Sequence, residues 1–211
     1  MARVAAQDRP ALIEARRGQI LDAALEVFSK QPFADASVEQ IARAAKVSKG
    51  SVYLYFPSKS AILDALVQRH SLLPDLELLS TALASMPLEA GLRTLLPVLW
   101  LRLRENKHVA RLILRDGVGA VENGRLFVQR VILPTNRLLA DWLAKQLGEE
   151  RAKEVDTFIA ARTLIGMLLV FFVSQEVLGG ADIHPLDNDA ITKTVADVFL
   201  RGVLGKEVGG S

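Results

Sequence analysis

The 211 residues contain no cysteine, which removes disulfide bridges, thiolate ligation of zinc or iron–sulfur clusters, and thiol nucleophiles together. Histidine is nearly as scarce. His70, His108 and His184 are too far apart in sequence for a local metal-ligand pattern, so neither metal nor cofactor is expected. A phosphate loop, a dinucleotide-type glycine pattern, a serine-nucleophile elbow and a pair of carboxylates set for acid–base work are all missing, and no enzyme is expected. The first ten residues, MARVAAQDRP, have no apolar stretch of signal-peptide length, so the expected location is the cytoplasm. The one long apolar run, Leu164 to Val173, is about half a membrane span and is flanked by Arg162, Ser174, Gln175 and Glu176. It is read as a helix buried in protein, with no membrane partner.

Half of the residues are hydrophobic, which is enough to bury a sizeable core. The formal charge is only +2, but it is unevenly placed: residues 1–60 hold nine Lys or Arg against six Asp or Glu. A positive excess in the N-terminal part is what a local nucleic-acid contact requires.

Helical periodicity runs from end to end, and no alternating stretch is long enough to suggest a sheet. The expected fold is all-α, an N-terminal helix-turn-helix module over residues 1–60 followed by a helical domain over 61–211, joined by a helix from about residue 58. From Glu14 to Lys30, Ile20, Leu21, Ala24, Leu25 and Phe28 make one apolar stripe, which Gln31 and Pro32 end. Ser37 followed three residues later by Gln40 is a capping box that opens a short helix. Ser48 caps a second, ended by Pro57, and Ser58 caps a third carrying Ile62, Leu63, Leu66 and Val67. Pro134 should kink or divide the helical pattern from Leu126 to Leu147.

Two short helices joined by a tight turn can set the second in a major groove while the first braces it. The second helix has suitable chemistry. Lys49 can neutralise a phosphate or reach a guanine edge, Gly50 permits close backbone approach, and Ser51 offers a hydroxyl. Tyr53 and Tyr55, the chain's only tyrosines, bring phenolic hydroxyls, and Lys59 adds a cation at the start of the next helix. Val47, Val52 and Phe56 are assigned to packing.

The run from Ile41 to Lys59, IARAAKVSKGSVYLYFPSK, together with Ile20-Leu21-Asp22-Ala23-Ala24 and Phe28, resembles the DNA-binding signature of the tetracycline-repressor (TetR) family. The resemblance covers residues 14–67 closely. It implies DNA contacts from Lys49, Gly50, Ser51, Tyr53, Tyr55 and Lys59, with Ser37, Lys46 and Ser48 completing the set. Ser37 and Val38 stand where relatives often carry a phosphate-binding threonine pair, and Val38 cannot make that bond. Lys46 replaces the glycine usual in the turn; a left-handed backbone there would bear a strain of about 1–2 kcal/mol.

The resemblance further implies a repressor that binds a palindromic operator in double-stranded DNA as a homodimer and is released by a small-molecule effector, here expected to be apolar or aromatic. Candidate pocket residues are Trp100, Leu103, Arg104, His108, Leu112, Phe127, Trp142 and Met167. The helix from about Ala152 to Leu178 is apolar nearly all round. Its Phe158, Leu164, Leu168 and Phe172, with Ile191, Val195, Val198 and Phe199 of the last helix, are the expected four-helix dimer interface. A helical small-molecule-binding protein without DNA activity is the other reading that the residues leave open.

Overall fold

In the computed structural model, residues 9–117, 125 and 127–205 are described, and among them every regular element is helical. The chain forms two compact units. One reaches to His70 and also takes in the segment from Arg111 to Phe127; the other runs from Ser71 to Ala110 and resumes at Val128.

The first unit is built on α1 (Arg9–Lys30), α2 (Val38–Ala44), α3 (Lys49–Tyr55) and α4 (Lys59–Arg69). Its core is the apolar stripe seen in the sequence: Ile20, Ala24 and Phe28 of α1 meet Ile41, Val52, Phe56, Ile62 and Leu66, all 3% exposed or less. Each short helix starts where its serine stands. Ser37 Oγ accepts from Gln40 N at 3.2 Å while Ser37 N donates to Gln40 Oε1 at 2.8 Å, closing both halves of the capping box. Ser48 Oγ accepts from Ser51 N at 3.0 Å, and Ser58 Oγ from Ala61 N at 3.0 Å.

The turn between α2 and α3 has a Schellman closure. Lys46 N donates to Arg43 O at 3.1 Å and Val47 N to Ala42 O at 3.0 Å, which places Lys46 at the position usually held by glycine. Its φ is +54°, the one positive value among the described non-glycine residues. Lys46→Gly should therefore raise the stability of this unit by about 0.5–1 kcal/mol, the relief of left-handed strain less the extra freedom glycine gains in the unfolded chain. A urea midpoint followed by tyrosine emission checks this, since both tyrosines lie in α3; an unchanged or lower midpoint would sink it.

The second unit comprises α5 (Leu73–Ala84), α6 (Leu88–Glu105), the start of α7 (Lys107–Leu112), α8 (Leu133–Glu154), α9 (Thr157–Phe172), the single turn α10 (Gly180–Ile183) and α11 (Asn188–Leu204). Short π-helical stretches lie at Ile113–Gly117, Val128–Ile132 and Val173–Val177. The helical run does not divide at Pro134: the π-helical stretch Val128–Ile132 passes straight into α8, Ile132 keeping helical angles (φ −66°, ψ −49°), and Pro134 lies in the first turn after that change of helix type. Gly148, at φ +73°, bends α8 near its end. Leu92, Leu95, Leu96 and Leu99 of α6, Leu139 and Leu143 of α8, and Leu164 and Leu168 of α9 form the centre of the core. Asp156 caps α9 through Phe158 N and Ile159 N at 3.0 and 2.9 Å.

Burial corrects the expected dimer interface. Leu164, Leu168, Phe172, Ile191, Val195 and Phe199 are all 4% exposed or less within a single chain, so a second copy has nothing left to cover on them. Their periodicity marks the protomer's own core. Phe158 is half-buried against that core, and Val198 alone of the eight is plainly exposed. The apolar positions left open on α9 are Ile159, Leu169 and Val170, at 61%, 38% and 68%. The stretch from Thr157 to Val177 is long and apolar enough to cross a membrane by length and composition; its inner face is packed in the core described above.

Candidate nucleic-acid interface

The face that α3 presents to solvent follows from which side it buries. Val52 and the capping Phe56, one turn apart, point into the core. At 100° per residue, Gly50 and Leu54 then lie on the opposite side, with Lys49, Ser51 and Tyr53 between. Exposure agrees: Lys49 and Gly50 are open, Tyr53 is 48% exposed, Leu54 84%, and Ser51 is half-buried. A Cβ built on Gly50 would approach nothing closer than Ser48 Oγ at 3.9 Å, so this backbone has open space in front of it. Lys46 and Ser48 are exposed in the turn ahead of the helix, and Ser37 is exposed at the start of α2.

The structure thus brings Ser37, Lys46, Ser48, Lys49, Gly50, Ser51 and Tyr53 to the surface of one small unit. Ser48 and Ser51 also share a hydroxyl contact at 2.9 Å. Tyr55 is half-buried against the core, with its carbonyl accepting from Arg17 Nη1 at 3.2 Å. Val38 is 9% exposed and belongs to the core, which accounts for an apolar residue beside the capping serine.

Lys59 differs from its expected role. Its ammonium donates to the carbonyls of Phe33, Ala34 and Ala36 at 2.6, 3.1 and 2.6 Å and lies 4.5 Å from the centre of the Phe33 ring. An ammonium has three N–H groups, and all three are engaged. Lys59 thus holds the loop between α1 and α2, and Phe33 in turn packs on Phe28 with ring centroids 5.3 Å apart. Arg115 holds the chain just ahead of those carbonyls, its Nη2 donating to Phe28 O at 2.6 Å and Gln31 O at 2.9 Å. Where a glycine is missing after α1, two cations from distant parts of the sequence order the chain through its carbonyls.

Two groups escaped the sequence reading: exposed Arg43 on α2, and the exposed aliphatic Leu54 on α3. Leu54 is apolar, so a search for polar DNA contacts passes over it; its exposure appears only once Val52 and Phe56 are known to be the buried pair.

The candidate effector residues do not come together as one set. Trp100 and Trp142 are 3% and 8% exposed in the second unit, and Leu103 and Met167 pack partly buried against the same core. Both indoles are satisfied internally, Trp100 Nε1 by Asn188 Oδ1 at 2.9 Å and Trp142 Nε1 by Leu83 O at 3.1 Å. Arg104 Nε is paired with Glu176 at 2.7 Å, and His108 is exposed. Leu112 is a correction: it is 3% exposed in the core of the first unit, and Phe127 falls in that unit as well. Two buried polar residues outside the expected set are adjacent on α8. Thr135 and Asn136 are 5% and 2% exposed, and Thr135 Oγ1 has no hydrogen-bond partner.

Residues 20–66 match the model of the bacterial regulatory proteins of the tetR family, and residues 101–202 match that of the AefR-like transcriptional repressor C-terminal domain. The chain belongs to the TetR family. Its helix-turn-helix unit is 50% identical over 54 residues to the HTH-type transcriptional regulator HbdR of Aromatoleum sp. (strain CIB), a match covering 26% of this chain and 24% of that protein. A longer match, 27% identical over 174 residues, is to the A-factor receptor protein of Streptomyces griseus, covering 78% of this chain and 57% of the relative. The chain therefore spans less than two thirds of the length of these curated relatives. Among solved structures, the fold is similar to the transcriptional regulator FadR of Bacillus subtilis in complex with stearoyl-CoA. That match has a TM-score of 0.68 and 20% identity, and covers 87% of this chain and 97% of the other. The relatives matched over the shorter stretch are named HTH-type transcriptional regulators.

Proposed function

We propose that this TetR-family member is a ligand-responsive repressor that binds a palindromic operator as a homodimer in the cytoplasm. The observation that carries the reading is the outward side of the helix-turn-helix. Lys46, Lys49, Gly50 and Tyr53 are open to solvent, with half-buried Ser51 among them, on a unit whose core takes Val52 and Phe56, giving cations, hydroxyls and an unobstructed backbone for a major groove.

Dimerisation is supported by what α9 and α11 leave uncovered. Ile159, Thr163, Gly166 and Val170 follow one stripe of α9, and Thr194, Val198 and Gly202 one stripe of α11. A Cβ added at Gly166 or Gly202 would meet nothing within 4 Å, so both stripes combine aliphatic side chains with open, small positions. An isologous seam of two such helices from each protomer would bury them and place two copies of α3 about one DNA turn apart.

The effector reading is supported by Thr135 and Asn136. A buried hydroxyl left unpaired costs about 1–3 kcal/mol, a cost that a ligand carrying a hydrogen-bonding group would remove. They lie in the first turn of α8, just beyond the π-helical stretch Val128–Ile132, a conformation often found at functional sites. The expected effector is a mainly apolar or aromatic molecule with one polar group. An acyl thioester such as the one bound by the Bacillus subtilis neighbour belongs in the test panel.

The deciding experiment is a gel shift with DNA from upstream of the protein's own gene. Salt-sensitive, sequence-selective binding is expected, and no binding at low salt would overturn the reading. For the effector, a thermal-shift screen should find compounds that raise the melting temperature of wild type and release DNA. Thr135→Val should weaken that shift for ligands bearing the polar group; an equal shift in both proteins would remove Thr135 from the site.

A further inference from the structure

Three large aliphatic side chains of the first unit are exposed close together. Leu12 and Ile13, in the N-terminal half of α1, are 52% and 40% open, and Leu54 of α3 is 84% open. With Arg16, Arg17 and Tyr55 they line one open groove. Isolated exposed leucines need no explanation, but aliphatic side chains converging beside two guanidinium groups do.

The two arginines are set differently. Arg17 is fixed: its Nη1 donates to Tyr55 O at 3.2 Å, its guanidinium lies 4.7 Å from the centre of the Phe56 ring, and its Nε is 3.6 Å from Glu14. Arg16 is exposed, with Nη1 donating to Gln19 Oε1 at 2.8 Å. A guanidinium has five N–H groups, so each arginine keeps donors to offer an anion.

An apolar floor beside guanidinium groups matches a strand that alternates an apolar ring with an anion, which describes deoxyribose and phosphate. Position favours the same occupant. A recognition helix presents its N-terminal residues to base edges, so its C-terminal end is directed toward the backbone that bounds the groove. Leu54 and Tyr55 form that end of α3.

We infer that this groove holds one sugar–phosphate strand of the operator, with Arg16 and Arg17 on phosphates and Leu12, Ile13 and Leu54 against the sugars. This rests on the DNA-binding reading above and extends it: α1 becomes part of the DNA-contacting surface. Contacts of this kind carry no base information, so the groove sets affinity and register and leaves sequence choice to Lys49, Gly50, Ser51 and Tyr53.

The test uses the full-length chain and a duplex selected from random sequence by the wild-type protein. Arg16→Ala should lower affinity about three- to tenfold, alike on the selected duplex and on unrelated DNA. The slope of log K against log salt should become shallower by about 0.9 per protomer. Leu54→Ala should weaken binding about two- to fivefold with an unchanged slope, since it removes contact area and no charge. A single methylphosphonate at the contacted phosphate should weaken wild type and leave Arg16→Ala unaffected. Wild-type affinity and slope in Arg16→Ala, on DNA that wild type binds selectively, would overturn the inference. So would a change in oligomeric mass caused by Leu54→Ala, which would assign the groove to a second copy of the chain. Failure of the parent reading shows earlier and separately, as a wild-type protein that selects no DNA.

Discussion

The double variant Val170→Arg, Val198→Arg is expected to be a folded monomer that binds operator DNA at least about a hundredfold more weakly than wild type. Val170 and Val198 are 68% and 53% exposed in the protomer, so neither change disturbs the core, and the circular dichroism spectrum should keep its helical amplitude. In a dimer sealed by α9 and α11 the same positions are covered, and each buried valine contributes about 1.5–3 kcal/mol. Arginine there loses that contribution and brings an unpaired cation to an apolar seam, at several kcal/mol per buried charge. The twofold axis doubles both effects. DNA affinity falls with assembly, because two tethered recognition helices bind more tightly than one by a factor of about 10² to 10⁴. Light scattering on a sizing column reads the mass and a gel shift reads the affinity. A variant that stays dimeric would show that the protomers meet through some other face.

Lys59→Met should cost the first unit about 2–3 kcal/mol while leaving the salt dependence of DNA binding unchanged. The ammonium serves three carbonyls of residues 33–36 and the Phe33 ring. Hydrogen bonds from a charged donor contribute about 1.5–3 kcal/mol and the cation–π contact about 0.5–1, part of which the methionine stem recovers by packing. Lys59→Arg should restore little, because a planar fork does not converge on three acceptors around one point. The chain provides its own two probes: both tyrosines lie in α3, and both tryptophans, Trp100 and Trp142, in the second unit. Urea unfolding should shift in the tyrosine signal and not in the tryptophan signal. A slope that instead drops by about one unit would return Lys59 to the phosphate contacts.

Lys59 also shows where sequence reading stops. The caps at Ser37, Ser48 and Ser58 and the buried stripe through Phe28 depend on residues within a few positions of each other, so they are legible from local pattern. The left-handed turn at Lys46 is suggested only by the glycine that the family usually carries there. The acceptors of Lys59 lie 23 to 26 residues upstream, and nothing local marks them. The dimer seam fails for another reason. Helix α9 is apolar on both sides, and periodicity cannot say which side the protomer covers itself; Leu164 and Leu168 have the same chemistry as Val170, yet their burial is opposite. Thr135 is an ordinary threonine until burial leaves its hydroxyl without a partner.

Leu112 and Arg115 make the helix-turn-helix unit discontinuous along the gene. Leu112 fills part of its core, and Arg115 closes the carbonyls of Phe28 and Gln31, although both residues lie some forty positions beyond the end of α4. A chimera that grafts residues 1–70 onto another regulator would arrive without them, whereas one that also carries the stretch from Arg111 to Gly117 would keep them. Moving this chain's first unit onto another protein thus has a hidden second junction in the middle of the chain, and recombination at the obvious boundary alone should yield hybrids with a loosened first helix.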